Sequence, residues 1–148
     1  MNWLQALCSN PFLLTGLASW FVAQVLKLFI HLAVYKKLRI ERIYGDGGMP
    51  SGHSATVSSL ATICGLTFGF QSVEFAISAI LAIVVCHDAT GVRRETGRQA
   101  VVLNELLRCF ESGHEDNLKE LVGHTPLQVA AGILIGIINA LVMYYFVF

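Results

Sequence analysis

Charged side chains are scarce in this chain of 148 residues, of which only 14% are Asp, Glu, Lys or Arg. Soluble globular proteins average about 25% charged residues, so the composition excludes an ordinary soluble domain. Cysteine is also sparse: the four residues lie far apart without a C-x-x-C pair, and we expect free thiols rather than disulfide bonds or metal ligands. The N-terminus lacks the basic region and small-residue cleavage site of a secretory signal peptide, so no removed signal is expected.

Hydrophobic residues, in contrast, make up 55% of the chain and are grouped in blocks long enough to cross a bilayer. The four blocks cover about residues 11–35, 54–70, 73–89 and 126–148, which predicts a single membrane domain over 1–148. Polar segments at 36–53 and 90–125 separate them, and the second is long enough for an amphipathic helix near 99–110. The sequence therefore predicts an all-α integral membrane bundle of about four transmembrane helices plus one amphipathic surface helix.

Positive charge is confined to one side of this arrangement. Nine of the ten Lys and Arg residues fall in the two polar segments, and the tenth, Lys27, lies within the first apolar block. With four spans both polar segments emerge on one face, which the positive-inside rule places in the cytoplasm of a multi-pass cell-membrane protein. The same charge also serves as a topology signal and a contact for anionic lipids, so it does not by itself indicate a binding site.

A glycine-rich turn, Gly47–Ala55, leads into the second apolar block. Its two leading glycines permit a tight turn, and Ser51 is a good N-cap for the helix that follows. The first-turn N–H groups of Gly52, His53 and Ser54 are then expected to lack partners within the helix. Such groups bind phosphate, and His53 adds a proton donor, so Ser51 and Gly52 are predicted contacts of an anion.

Two further polar clusters lie at the same face: Asp88–Arg98, where the third apolar block ends, and Gly123–Gln128, where the fourth begins. Phosphoryl transfer needs a nucleophile, an acid for the leaving oxygen, and fixed positive charge around the phosphate. Histidines at two helix N-termini, His53 and His124, together with the pair Arg93–Arg94, would supply all three.

Each cluster also has a plainer structural interpretation. Either histidine alone is equally well explained as an interfacial residue bonded to loop carbonyls, and the arginine pair alone as topology charge. The segment Thr125–Gln128 is a capping box, with threonine at the N-cap and proline at the first helical position. Asp88 lies near the membrane boundary, where an ionisable side chain usually has an ion-pair partner or a function, and an ion pair with Arg93 or Arg94 is the simplest explanation for it.

Small residues recur at four-residue spacing in the second and fourth apolar blocks, a pattern that lets membrane helices approach closely. Close approach of these blocks would draw His53 and His124 together. The small residues are Ser54, Ser58, Gly65 and Gly69 in one block, and Gly132, Gly136 and Ala140 in the other.

Three motifs, Pro50–His53, Asp88–Arg94 and Gly123–Pro126, occur in that order within about Lys27–Gly136. Together they resemble the type 2 phosphatidic acid phosphatase (PAP2) superfamily, the lipid phosphatases related to vanadium haloperoxidases. They look like its divergent branch, a small family of bacterial and plant membrane proteins. The resemblance implies a PAP2-like core and a phosphatase that needs neither metal nor cofactor.

In that superfamily the histidine corresponding to His53 is the general acid, and the one corresponding to His124 forms a phosphohistidine. The resemblance further implies that basic residues clamp the phosphate of a membrane lipid, with no nucleic-acid partner. Those basic residues would be Lys27, Arg93 or Arg94, and Lys119.

The chain departs from the superfamily pattern at several places. The first motif, a lysine followed after six residues by Arg-Pro, is absent, and Leu118 stands where an arginine is usual. Gln128 replaces the aspartate that orients the nucleophile, so Asp88 or Glu120 would have to supply its charge, and we include Asp88 in the predicted catalytic set. The span count is below the usual six, which is compatible with a homodimer that completes the core.

The leading hypothesis is therefore a lipid phosphate or pyrophosphate phosphohydrolase that acts at the cytoplasmic interface. One alternative is a phospholipid head-group binding or lipid-translocating protein that retains the anion site without catalysis. The neutral Gln128 favours this alternative, because an amide cannot stabilise an imidazolium by charge. A structural subunit of a larger complex is the third possibility.

Overall fold

The computed structural model describes residues 2–36, 48–109, 118–120 and 122–148, and within them it contains helices and no strands. Gly47 and most of the basic residues of the polar segment 36–53 lie outside the described residues. The helices are α1 (Trp3–Cys8), α2 (Pro11–Tyr35), α3 (Gly52–Phe68), α4 (Val73–Thr90), α5 (Val92–Cys109) and α6 (Pro126–Phe146). The predicted all-helical fold is confirmed, and the amphipathic helix α5 begins earlier than the sequence suggests.

Polar caps fix where the long helices begin, because the first N–H groups of a helix have no partners within it. The Asn10 side chain accepts hydrogen bonds from the Phe12 and Leu13 amides, and Ser72 accepts one from Phe75. At α6 the Thr125 hydroxyl accepts from the Gln128 amide, while the Gln128 side chain accepts from the Thr125 amide. The capping box predicted from the sequence is therefore present.

Helix α3 occupies the centre of the bundle and packs against α2, α4 and α6. Four of its hydroxyl groups bond to carbonyls of the same helix and so do not need water; for example, Ser58 donates to Ser54 at 2.6 Å and Thr62 donates to Ser58 at 2.7 Å. This pairing lets a helix rich in serine and threonine lie inside a hydrophobic bundle.

The contact between α3 and α6 is a contact between backbones. A Cβ atom added at Gly136 would overlap the Ala55 carbonyl and the Ser58 hydroxyl, and one added at Gly132 would overlap the Ser51 carbonyl. The Ser51 amide also donates to the Gln128 carbonyl at 3.1 Å. Of the small residues predicted to bring these helices together, Ser54, Ser58, Gly132 and Gly136 lie at this contact and align the first turns of α3 and α6, whereas Gly65 faces Phe70 and Phe75.

Three helical segments are long and apolar enough to cross a membrane: Pro11–Val34, Val73–Cys109 and Pro126–Phe146. The second segment combines α4 and α5, which only Gly91 separates. The remaining predicted span, the second apolar block at about 54–70, corresponds to α3, which has 17 residues and is enclosed by the other long helices. The chain is therefore a helical membrane protein, and a count of four spans stays a prediction.

We expect Gly136→Ala to destabilise the bundle by about 1–3 kcal/mol, because the added methyl group overpacks the α3–α6 contact. The matched control is Gly16→Ala in α2, where the nearest atom to an added Cβ is a Thr56 methyl at 3.6 Å, an ordinary contact distance. That control should be neutral or stabilising, since alanine favours a helix over glycine by about 0.5–1 kcal/mol. Unfolding in detergent micelles measures both, and equal stabilities would contradict the close backbone contact.

Candidate functional site

His124 lies in the short segment before α6, and the end of α4 and the start of α5 hold it there. Its backbone amide donates to the Ala89 carbonyl at the end of α4, at 2.9 Å. The preceding Gly123 has a φ of +84°, and its Cα packs against the backbone of Arg93 and Arg94, where a Cβ would not fit. His124 itself is 4% exposed. The segment is thus fixed against the junction of α4 and α5 before α6 begins.

A cavity of about 240 Å³ joins the two histidines predicted to be catalytic. We call it the histidine cavity, and its lining is His53, Val84, Val85, Asp88, Ala89, Arg93 and His124. One side chain of each predicted motif therefore reaches the same space: His53 from the start of α3, Arg93 from the start of α5 and His124 from the loop.

Asp88 and Arg93 form an ion pair inside this cavity, with Arg93 Nε donating to the Asp88 carboxylate at 2.7 Å. The predicted pairing of Asp88 is thus present. Both side chains are about 40% exposed, so the pair is hydrated and contributes at most about 1 kcal/mol to stability. Its main effect is to hold the guanidinium beside the two histidines.

Arg94 lies on the other side of His124, in a second cavity of about 260 Å³. We call this the arginine cavity, and its lining includes Arg94, Arg98, Glu120 and Gln128 as well as His124. Consecutive residues on a helix point about 100° apart. The arginine pair that the sequence suggests for one phosphate is therefore divided between two cavities that share His124.

Lys27 reaches this region from α2. Its side chain is 6% exposed, and its methylene groups lie near the Gly48 backbone, 3.6–3.9 Å from where a Cβ would stand. Burial lowers the pKa of His124 below its ordinary value, and the positive charges of Lys27 and His53 lower it further. Hydrogen bonds to Gln128 and to the Gly48 backbone act in the opposite direction. His124 is accordingly a neutral imidazole at neutral pH.

Gln128 offers an acceptor to one nitrogen of His124. Its side-chain oxygen accepts from the Thr125 amide at 3.0 Å, which fixes the orientation of the carboxamide. The same oxygen lies 3.3 Å from His124 Nδ1, and because an amide oxygen only accepts, this hydrogen bond forms in the tautomer that has its hydrogen on Nδ1. The residue that closes the capping box thus also favours the tautomer in which Nε2 is the basic nitrogen.

The predicted anion contacts at the start of α3 are partly engaged within the protein. The Ser51 hydroxyl is buried and accepts from the amide and the hydroxyl of Ser54. The Ser54 amide, which was expected from the sequence to be available to an anion, is therefore already paired. Gly52 is buried against Trp20 and Gln24, with the indole carbon of Trp20 3.4 Å from where a Cβ would stand. The Gln24 side-chain oxygen is buried without a hydrogen-bond partner in the described structure.

Lys119, predicted to bind phosphate, is exposed and lines neither cavity. Its neighbours are instead used to attach the loop. The Asn104 side chain donates to the Leu118 carbonyl at 3.0 Å and to the Glu120 carboxylate at 2.8 Å, and it accepts from the Leu118 amide at 2.9 Å. Across the part of the chain that the structure describes, no group of three or more His, Cys, Asp or Glu residues could hold a metal ion.

The sequence did not predict that the buried face of α5 attaches the segment before His124. Gly97, Ala100 and Asn104 form the buried face of α5, and a Cβ at Gly97 would stand 2.7 Å from the carbonyls of Glu120 and Val122. The available signal was the spacing of small and polar residues at three and four positions, which is typical of one buried helix face.

Comparison with known proteins agrees with this arrangement of motifs. The sequence profile of the Divergent PAP2 family matches residues 8–139. The uncharacterized membrane protein YuiD of Bacillus subtilis (strain 168) is 42% identical over 154 residues, covering 95% of this chain and 98% of that protein. No solved structure matches the chain. The matched range includes the start of α3, the α4–α5 junction and His124.

We expect Lys27→Met to raise the pKa of His124, because the positive charge that disfavours the imidazolium is removed. NMR titration of histidine-labelled protein in micelles measures the change directly and does not depend on activity. The control is Lys36→Met, which removes the exposed lysine at the C-cap of α2, about two and a half turns beyond Lys27. An unchanged His124 titration in Lys27→Met would show that Lys27 does not act on the ring.

Proposed function

The chain belongs to the Divergent PAP2 family of membrane proteins, and we propose that it hydrolyses a phosphate ester or anhydride on a membrane lipid. The observation that carries the proposal is the histidine cavity, which holds His53, His124 and Arg93 around one space at the end of the bundle. The nucleophile, the acid and the fixed positive charge that phosphoryl transfer requires are thus available together.

The reaction would proceed in two displacements at phosphorus. His124 Nε2 attacks the phosphate, the bond from phosphorus to the leaving oxygen breaks, and His53 donates its proton to that oxygen. Water then attacks the phosphohistidine while His53 takes up a proton from the water, which releases inorganic phosphate and restores both histidines. Arg93 would neutralise the phosphate oxygens in both steps, and Asp88 would position its guanidinium.

The lowered pKa of His124 supports its assignment as nucleophile, because only the neutral ring can attack. Gln128 supports it further by favouring the tautomer with its hydrogen on Nδ1. The site would face the cytoplasm if the basic segments follow the positive-inside rule.

A non-catalytic head-group binding protein is the second candidate, and two observations favour it. Gln128 is neutral and cannot stabilise an imidazolium, a role whose loss costs about 10⁴-fold in serine proteases. Arg93 is also already paired with Asp88, so a phosphate must compete with a carboxylate for it. Vanadate or phosphate-lipid binding without phosphate release would select this candidate.

The decisive assay measures phosphate release by purified protein in detergent from phosphatidic acid, phosphatidylglycerophosphate and a polyprenyl pyrophosphate. We expect His124→Ala to lower the rate at least about 10³-fold, as loss of a covalent nucleophile does elsewhere. His53→Ala should lower it about 10²–10⁴-fold through loss of acid catalysis.

His87→Ala is the matched control for that assay, because His87 is exposed beside Asp88 and does not line the histidine cavity. It should leave the rate unchanged. Absence of release from all three lipids, or full activity of His124→Ala, would refute the phosphatase.

We expect Gln128→Glu to raise the pKa of His124 and to increase turnover, because a carboxylate keeps the hydrogen bond and adds charge. Gln128→Leu should lower turnover and move the acid limb of the pH–rate profile to lower pH, since the hydrogen bond that raises the pKa of His124 is lost. Thr125→Ala is the control: it removes the other half of the capping box but leaves the bond from Gln128 to His124. If Thr125→Ala is as inactive as Gln128→Leu, the effect belongs to the helix cap rather than to the hydrogen bond with His124.

A further inference from the structure

Helix α5 presents three different faces along its length. Gly97, Ala100 and Asn104 are buried against the protein. A second face, about 90° away at 100° per residue, carries Arg94, Arg98, Glu105 and Arg108. The third face lies opposite the arginines. Its first half carries the polar residues Glu95, Thr96 and Gln99 beside Val92, and its second half is an apolar stripe of Val102, Leu103, Leu106 and Leu107.

The first two faces have identified roles. The buried face receives the loop that precedes His124, through Asn104 and the close approach at Gly97. From the charged face, Arg94 and Arg98 line the arginine cavity.

The apolar stripe, in contrast, is exposed. Val102 is 56% exposed, Leu103 48% and Leu106 49%, so the described part of the structure leaves about half of each of these large hydrophobic side chains uncovered. Contiguous exposed apolar residues of this kind mark a surface that another medium or molecule covers.

The position of α5 in the chain identifies that medium. Helix α4 has 18 residues and rises about 27 Å, which nearly spans a hydrocarbon core of about 30 Å. Only Gly91 separates it from α5, so α5 begins where the hydrocarbon ends. A helix with an apolar stripe opposite a basic face is suited to lie at that boundary.

The charge of α5 agrees with such a position. The helix contains four arginines and two glutamates, and a net positive face is attracted to anionic lipid head groups. We propose that α5 lies in the plane of the membrane–water interface, with its apolar stripe among the lipid chains and its arginine face among anionic head groups.

This placement orients the site toward the lipids. Because the loop before His124 is fastened to the buried face of α5, the depth of α5 in the membrane sets the depth of His124. The arginine cavity then opens at head-group level. The position of α5 at the membrane–water interface does not depend on phosphatase activity.

The experiment uses the full-length chain with Cys8, Cys64, Cys86 and Cys109 replaced by alanine, so that single labels can be introduced. Leu106→Cys places an environment-sensitive fluorophore on the apolar stripe, and the neighbouring Glu105→Cys places it on the charged face as the matched control. Both proteins are reconstituted in vesicles containing phosphatidylglycerol and phosphatidylcholine.

A lipid-borne nitroxide should quench the label at position 106 at least about threefold more than the label at 105, and aqueous iodide should show the opposite order. Equal access of iodide to both labels would overturn the proposal, because α5 would then project into water. Protection of position 106 from both quenchers would also overturn it and would indicate a protein cover, such as a second copy of the chain.

A second measurement starts from the wild-type protein and needs no label on it. Wild-type protein in vesicles with a photoactivatable phosphatidylglycerol should form lipid adducts in the peptide around Val102–Leu107, and fewer when the probe carries a neutral head group. Arg108→Gln, on the charged face but outside the arginine cavity, should reduce the difference between the two probes. No adducts on α5 with either probe would contradict the interfacial position.

Discussion

The direct contact between the backbones of α3 and α6 is the interaction on which the rest of the structure depends. Because Gly132 and Gly136 present no side chain, α6 approaches the Ser51 and Ala55 carbonyls, and the Ser51 amide reaches the Gln128 carbonyl. The two helices therefore begin at the same level. His53 and His124, which are far apart in the chain, lie on one cavity as a result.

Local patterns in the sequence were sufficient for several parts of the site. The four-residue spacing of small residues predicted the α3–α6 contact. The order of residues at Thr125–Gln128 predicted the capping box, and the position of Asp88 predicted its ion pair with an arginine. These features depend on residues one or two helical turns apart, or on a helix face, so their geometry follows from the regular helix.

Features that depend on where helices meet were not predictable in the same way. The sequence offered Arg93 and Arg94 as a pair, whereas the loop that carries His124 packs between their directions on α5 and leaves them in separate cavities. Whether Lys27 reached the site was undetermined, because its distance from Gly48 is set by the packing of α2 on α3. Lys119 was selected for its charge, yet its exposed position results from the attachment of its neighbours to Asn104.

The ion pair between Asp88 and Arg93 has a consequence for which lipids the proposed site could recognise. A carboxylate already occupies the guanidinium, so an incoming phosphate must displace it to bind. Phosphodiesters, which form the bulk of a bilayer, carry a single negative charge, whereas a terminal phosphate with a second pKa of about 6 carries nearly two at neutral pH. In the proposed site the carboxylate would thus act as a competitor that a doubly charged head group displaces more readily than a singly charged one, so the abundant phosphodiester lipids around the protein would bind there less well.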